Sequence, residues 1–205
     1  CLGAGVVMRL PRLIPLTRLR RFAREETGSS QSLELLLVFP LLIWALCGFY
    51  VYTDAFKIRT VLTDATALIA DTLSRQSVPI TQDDLDGLQS VIEYMSNLSG
   101  GADLRVTQVA CTKDCEDLTK RKLEVVFSRG NGYKALTTDD FALNTTHEER
   151  VPRIDEGDRI IIVDTQMYYT PAFNFGLTAG DIETRQIVRM RFAPQLCWES
   201  CGSTS

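Results

Sequence analysis

Four cysteines in the second half of the chain are the side chains whose spacing most directly suggests chemistry. Cys111 and Cys115 form one local pair, and Cys197 and Cys201 form another, with three residues between the members of each pair. In an oxidising compartment each pair would close a short disulfide loop. The four thiolates could instead bind one zinc ion, although structural zinc pairs are usually closer in sequence and belong to reducing compartments. We predict two disulfides and no metal site.

The sequence offers no set of residues that would catalyse a reaction. The only histidine, His147, precedes Glu148 and Glu149 in a polar stretch without a Cys or Ser pattern beside it. Nothing marks it as the base for a nucleophile, and we expect it at the surface. There is no Gly-rich phosphate loop and no nucleophile elbow. We predict that the chain is not an enzyme and needs no cofactor, with an anchored hydrolase as the lesser alternative.

Glu34 is the carboxylate in the most unusual position. It begins an apolar segment, where an unpaired charge is energetically costly to bury, and it follows the accessible small residues from Gly28 onward. In one interpretation Glu34 lies in the headgroup region and simply favours the positive end of a helix. In the other, cleavage near Gly28 creates a new amino terminus, which pairs with Glu34 of a neighbouring subunit inside a bundle of apolar helices.

The segment Leu33–Thr53 predicts one membrane-spanning helix. After Glu34 it carries no charge for nineteen residues, a length that crosses most of a hydrocarbon core of about 30 Å. A cleaved signal peptide is the alternative, but its apolar centre would be shorter, and bulky Phe49 and Tyr50 lie near the end of this one. Six arginines precede the segment and Asp54 follows it, so residues 1–32 should form a cytoplasmic basic leader and residues 54–205 should be exported.

Helical spacing continues beyond the predicted span to about Gln76, and Pro40 should bend the helix rather than break it. Pro79 closes this helix. Thr81 and Asp84 then form a capping box for a second helix, which should end at Ser99, Gly100 and Gly101. The apolar positions of the first helix are Ile58, Val61, Leu62, Ala65, Leu68, Ile69 and Leu73, and those of the second are Leu85, Leu88, Val91, Ile92 and Met95.

The pattern then changes to the period of two that is typical of strands. Four strands are predicted: Leu104–Ala110, a second in which Leu123, Val125 and Phe127 share one face, Ile160–Val163, and Ile187–Phe192. The fold class is therefore α+β with a roughly four-stranded antiparallel sheet. In the connection between the second and third strands, Thr137–Asp140 predicts a helix start and Asp155–Asp158 predicts a turn. An aromatic loop around Pro171 would be a lid over the core or a partner-binding patch, and we favour the lid. Its aromatic residues are Tyr168, Tyr169, Phe173 and Phe175.

The charge of the predicted exported domain excludes one class of partner. Residues 54–205 hold 16 basic and 23 acidic side chains, a net charge of −7. Nucleic-acid binding needs clustered Lys and Arg to displace counterions from phosphate. We therefore predict that the chain does not bind nucleic acid.

The basic leader, the Gly28-to-Glu34 spacing, Pro40 in a single apolar span and the continuing helix together resemble the TadE/TadG-like pilus-assembly proteins. These are pseudopilins of the tight-adherence, or Flp-type, branch of type IV pilus systems in bacteria. The resemblance is best over residues 22–76. It implies a pilin-like α+β domain, 54–205, in the periplasm, anchored in the bacterial inner membrane and in contact with other pilus-assembly proteins.

The resemblance also implies processing by a prepilin peptidase. In the family the cut follows the Gly, which makes Ser29 the new first residue, and the Glu normally falls fifth after the cut. Counted from Ser29, Glu34 falls sixth, and a cut after Ser29 would restore the family spacing. A permanently anchored periplasmic adaptor or sensor, which needs neither Gly28 nor Glu34, is the alternative function.

Overall fold

The computed structural model describes residues 29–96 and 101–201. The chain divides into two compact units, Cys1–Phe49 and Tyr50–Ser205. The predictions for residues 1–28, including the peptidase site at Gly28, lie outside the described residues. So does the expected end of the second helix at Ser99 and Gly100.

The first helix, α1, spans Ser29–Ser74 and continues through Pro40. It begins four residues before Leu33, where the predicted span starts, so the small polar residues ahead of Glu34 are part of the helix. Within the first unit its apolar side chains are exposed. One helix of the described residues is long and apolar enough to cross a membrane, which is consistent with a single-pass anchor.

The part of α1 that belongs to the second unit buries one face. Ile58, Leu62, Ala65, Ile69 and Leu73 lie three or four residues apart and are all buried, as the periodicity predicted. Leu68, which was expected on the same face, is exposed. The buried face instead includes Thr66, Ala70 and Ser74, so it is rotated around the helix relative to the predicted one.

The second helix, α2, spans Gln82–Ser96. Its predicted capping box is present, because the Thr81 backbone N–H donates to Asp84 Oδ2 at 2.8 Å and the Asp84 N–H donates to Thr81 Oγ1 at 3.4 Å. Leu85 and Ile92 are buried, whereas two further residues of the expected apolar face are exposed, Val91 and Met95. α2 therefore packs against the rest of the unit through a narrow apolar face that contains Leu85 and Ile92.

The sheet has four antiparallel strands in the order β2-β1-β3-β4, which confirms the predicted α+β class. The strands are β1 Asp103–Lys113, β2 Lys122–Asn131, β3 Arg159–Tyr169 and β4 Gly180–Arg189. All four were predicted, but β3 extends six residues past Val163 and β4 begins seven residues before Ile187. Tyr168 and Tyr169 therefore belong to a strand and not to the predicted loop.

One prediction about β2 is wrong. Leu123 and Val125 pack on one face of the sheet, whereas Phe127 packs on the other. The pairing with β1 explains the change, since Gln108 lies opposite Phe127 and its neighbour Val109 lies opposite Val125. The extra residue is a bulge, which reverses the alternation of the strand.

The two faces of the sheet are covered by different parts of the chain. On one face α1, α2 and the C-terminal segment enclose a core that includes Leu104, Val106, Ile161 and Val163. On the other face the connection between β2 and β3 encloses a second core, whose buried members are Val109, Cys111, Cys115, Leu123, Leu136, Phe141, Val151, Ile154, Ile160 and Ile162. Central strands buried on both faces lose the simple alternation of a half-exposed strand.

The β2–β3 connection contains two short helical turns. A 3-10 helix covers Thr138–Phe141, and α3 covers Thr146–Glu149. The first follows a capping box in which the Thr137 backbone N–H donates to Asp140 Oδ2 at 2.8 Å, where the sequence predicted a helix start. The predicted turn at Asp155–Asp158 is also present, closed by a 3.1 Å backbone hydrogen bond.

The C-terminal segment is fastened to the helix-covered side. The Ile80 N–H donates to the Cys197 carbonyl at 2.9 Å, and the Glu199 N–H donates to the Ile80 carbonyl at 2.8 Å. With its amide oxygen turned toward the Leu196 N–H, Gln108 makes two hydrogen bonds of 2.8 and 2.9 Å to the Leu196 backbone. These bonds place the second cysteine pair beside the junction between α1 and α2.

Candidate functional site

The exposed apolar surface of α1 in the first unit is the most conspicuous feature of the described residues. Within its most apolar window only 6% is buried. Among soluble proteins, contiguous apolar surface of this extent marks an interaction or membrane-contact region. The exposed large side chains are Leu33, Leu35, Leu36, Leu37, Val38, Phe39, Leu41, Leu42, Ile43, Trp44, Leu46 and Phe49.

The two residues predicted for processing and pairing lie at the start of this surface. Ser29 is the first residue of α1, and Glu34 follows five residues later with an exposed side chain. In the part of the chain that the structure describes, no hydrogen bond or ion pair joins Glu34 to another side chain. A carboxylate at the edge of an apolar helical surface is therefore available to a group from another molecule.

Both cysteine pairs lie at disulfide distance. The Cα atoms of Cys111 and Cys115 are 5.9 Å apart, those of Cys197 and Cys201 are 4.9 Å apart, and each pair is joined by a disulfide bond. The first closes the turn after β1 and the second closes the loop at the C-terminal segment. Cys47 in α1 is a free thiol.

A row of charged side chains crosses three strands of the sheet. Arg105 on β1, Asp164 on β3 and Arg185 on β4 are successive cross-strand neighbours. Arg105 Nη2 donates to Asp164 Oδ2 at 2.6 Å and Arg185 Nε donates to Asp164 Oδ1 at 2.5 Å. The side chains of Arg105 and Asp164 are 6% and 5% exposed, so the carboxylate is held almost entirely by the two guanidinium groups.

His147 on α3 extends this row. Its Nδ1 lies 2.9 Å from Arg185 Nη2, and an arginine can only donate. Nδ1 must therefore accept, which makes the ring neutral with its proton on Nε2. Burial, followed by the charge of Arg185, lowers the pKa of His147 below its ordinary value. His147 is half-buried, and the partner that holds it comes from a strand 38 residues away.

The chemistry of the row favours a structural role. Both oxygens of Asp164 accept from arginine, so the carboxylate has little capacity left to take a proton from a substrate. Arg105 is further held by the Lys134 carbonyl at 2.6 Å and lies over the Tyr133 ring at 4.1 Å. Two cations on one anion leave a net positive charge, and a neutral His147 avoids adding to it.

A second buried ion pair holds the β2–β3 connection. Arg121 Nε donates to Glu148 Oε1 at 2.5 Å, and its Nη2 donates to the carbonyls of Glu148 and Val151 at 2.7 and 2.9 Å. Both side chains are nearly inaccessible. Every donor nitrogen of Arg121 bonds to the β2–β3 connection. We therefore interpret this ion pair as a structural contact that holds the connection in place.

The β3–β4 loop contacts α1 where the apolar segment ends. The Tyr169 hydroxyl donates to Asp54 Oδ2 at 3.0 Å, and burial together with this carboxylate raises the pKa of Tyr169. The Phe173 ring lies 6.4 Å from the Tyr50 ring. Tyr169, at the end of β3, joins the core, whereas Phe173 in the loop remains 47% exposed.

An acidic cavity of about 540 Å³ lies beside the first disulfide. Its acidic lining residues are Asp114, Glu116, Asp117, Asp155 and Glu156. Asp117 is engaged by Thr119, whose backbone N–H donates to it at 2.9 Å. In residues 29–96 and 101–201 no group of three or more His, Cys, Asp or Glu side chains is arranged to hold a metal ion.

Sequence reasoning missed the charged row and the histidine that joins it. Arg105, Asp164 and Arg185 lie in three different strands and are 59 and 21 residues apart in sequence. A hint was present in β1 and β3, where a single charge interrupts an otherwise buried run. Only the register of the strands shows that the three charges meet.

Taken together, the described residues define an α+β fold in which one helix is long and apolar enough to cross a membrane. Comparison of the chain with models of protein families gave no match, and comparisons with curated proteins and with solved structures gave none either. The resemblance to TadE/TadG-like proteins therefore rests on the residues and spacings named above.

Proposed function

We propose that the chain is a membrane-anchored pseudopilin or assembly component of a Flp-type pilus system, which acts through helix packing and protein–protein contacts. The observation that carries this proposal is the exposed apolar surface of α1 in the first unit. In water such a surface is strongly unfavourable, whereas lipid or neighbouring apolar helices would satisfy it. The six arginines before it and Asp54 after it favour an N-terminus in the cytoplasm and an exported C-terminal domain.

The position of Glu34 supports a specific mode of packing. From Ser29 to Glu34 is five residues, or roughly 7.5 Å along the helix axis. If cleavage after Gly28 leaves the new amino group on Ser29, a neighbouring helix shifted by that distance would bring its ammonium to Glu34. Cleavage after Ser29 would shorten the shift to about 6 Å. The ion pair would then set the register between subunits.

The membrane part of the proposal is tested by locating the chain. The full-length protein should stay with membranes after alkaline extraction, and a reporter fused after residue 201 should be active only outside the cytoplasm. Recovery in the soluble fraction, or a reporter active in the cytoplasm, would overturn the proposal.

The assembly part is tested at Glu34. In cells with a Flp-type pilus system, Glu34→Gln should insert normally but lose co-purification with the other pseudopilins. Glu124→Gln is the matched control, because Glu124 is an exposed glutamate on β2. If Glu34→Gln co-purifies as well as the control, the pairing mechanism is wrong and the permanently anchored adaptor is the better description.

A further inference from the structure

The loop between β3 and β4 differs in composition from the rest of its unit. From Thr170 to Gly180 the sequence is TPAFNFGLTAG, eleven residues without a charge. The predicted exported domain has a net charge of −7, so a charge-free loop is the part of it that a lipid surface would repel least. Among its apolar side chains Phe173 is exposed, whereas Phe175 and Leu177 are half-buried and Leu177 packs against the core.

The position of this loop is fixed by contacts with α1. Tyr169, which ends β3, hydrogen-bonds Asp54 at 3.0 Å. Asp54 is the first charged residue after the predicted span. The hydrogen bond from Tyr169 therefore marks the position along α1 at which the apolar segment ends. The β3–β4 loop begins directly after Tyr169 and therefore starts beside the end of the apolar segment.

Beyond Tyr169 the chain runs back along the last turn of the predicted span. Phe173 contacts the Tyr50 ring at a centroid distance of 6.4 Å, and a Cβ atom added to Gly176 would lie 3.4 Å from the Tyr52 hydroxyl. Tyr50 precedes Asp54 by four residues, which is about 6 Å along the helix toward the apolar segment. Phe173 therefore lies on the lipid side of Asp54.

The aromatic side chains at this level are not enclosed by protein. Tyr50, Tyr52 and Phe173 are 57%, 45% and 47% exposed. Aromatic residues are enriched at the boundary between headgroups and acyl chains, where an apolar ring and a polar end are both satisfied. Apolar side chains of interfacial segments reach about 5–10 Å into that boundary.

We propose that the β3–β4 loop is a second membrane contact, in which Phe173 and its neighbours enter the headgroup–acyl boundary beside Tyr50. The inference rests on the proposed membrane anchoring. Its partner is the lipid surface itself, chosen because the loop is continuous with the end of the predicted span and carries no charge. Such a contact would restrict the tilt of the second unit against the bilayer.

The test measures the depth of the loop in lipid with the full-length chain in phospholipid vesicles. Trp44 and Trp198 are replaced by Phe, and Phe173→Trp supplies the only tryptophan. With lipids brominated near the headgroup end of the acyl chains, we expect a large loss of its emission. Ala172→Trp, at a neighbouring exposed position, repeats the measurement in case Phe173→Trp disturbs the loop.

Two controls separate this inference from the anchoring on which it rests. Tyr94→Trp, on the exposed face of α2, should keep its emission. A chain whose only tryptophan is Trp44 should be quenched most by bromine placed deep in the acyl chains. If Trp44 is quenched but positions 172 and 173 behave like position 94, the loop contact is wrong while the anchor stands. If Trp44 is not quenched, both are wrong.

Discussion

The hydroxyl of Tyr169, at the end of β3, donates a 3.0 Å hydrogen bond to Asp54, which directly follows the apolar segment of α1. This bond joins the last residue of a central strand to the helix at the point where the predicted membrane span ends. Removing it should loosen the sheet from α1.

Tyr169→Phe should therefore lower the free energy of unfolding by about 1 kcal/mol, which is the usual net value of one hydrogen bond. Urea unfolding of the full-length chain in detergent solution measures the change. Tyr168→Phe is the matched control, because the adjacent Tyr168 is exposed. Equal effects of the two substitutions would show that the Asp54 bond contributes nothing.

Asp164→Asn should be strongly destabilising. It removes the only carboxylate between Arg105 and Arg185, and an uncompensated buried charge costs about 3–5 kcal/mol. Asp71→Asn removes the same charge from exposed ion pairs with Arg75 and Arg191 and should cost less than about 1 kcal/mol. Urea unfolding compares the two variants, and a small effect at position 164 would show that water reaches the row in solution.

His147 should make the stability depend on pH. Its pKa is lowered in the folded chain, first by burial and then by Arg185, so the unfolded chain takes up the proton first as the pH falls. The contribution is complete above about pH 6.5, the unfolded value, and is lost as the pH falls through the lowered pKa of the folded chain.

His147→Asn keeps an acceptor oxygen for Arg185 but does not titrate, so this loss should be absent in the variant. Unfolding measured at several pH values isolates the difference between the two chains. Because His147 is the only histidine, NMR titration of a protein without a histidine tag also gives its pKa directly. A folded pKa at or above the unfolded value would contradict the assignment of a neutral ring.

The buried hydroxyl groups of Thr66 on α1 and Thr165 on β3 should differ in how much they contribute to stability. Thr66 Oγ1 donates to the Leu62 carbonyl at 2.6 Å and lies 2.7 Å from Thr165 Oγ1. Since each hydroxyl has one proton, Thr165 must donate to Thr66. Thr66→Val leaves the Thr165 hydroxyl without its acceptor and should cost about 1–3 kcal/mol, whereas Thr165→Val should be nearly neutral. Urea unfolding of both variants checks the order, which equal costs would contradict.

Thiol counting tests the disulfides and the leader together. Without reductant, alkylation of the unfolded chain should modify only Cys47 and, in a chain that retains its first residue, Cys1. Reduction should expose four more thiols, from the two disulfides. Intact mass identifies the first residue, so cleavage after Gly28 would appear as one free thiol and a mass that begins at Ser29. Four additional free thiols before reduction would contradict the disulfides.

Local patterns of the sequence were sufficient for the helix starts and the fold class. Both capping boxes depend on side chains three residues apart, Thr81 with Asp84 and Thr137 with Asp140, and such spacing can be read directly. The apolar α1 segment and the number of strands likewise follow from composition and period.

What the sequence could not provide depends on contacts between distant elements. The bulge in β2 became visible only from its pairing with β1, and it moved Phe127 to the opposite face. The first half of β4 is rich in polar residues and did not resemble a strand, because its stability comes partly from the pairing of Arg185 with Asp164, 21 residues away. The contact between His147 and Arg185, 38 residues apart, was missed for the same reason.

The fastening of the C-terminal segment has a consequence for biogenesis. The bonds between Ile80 and Cys197 and between Arg191 and Ser74 each connect residues that are 117 positions apart. If the unit is exported as proposed, the junction of the first two helices emerges well before the C-terminal segment that completes it. We expect the folding of this unit to be delayed until translocation has delivered residue 199, which leaves a window in which export chaperones can bind the unfinished domain.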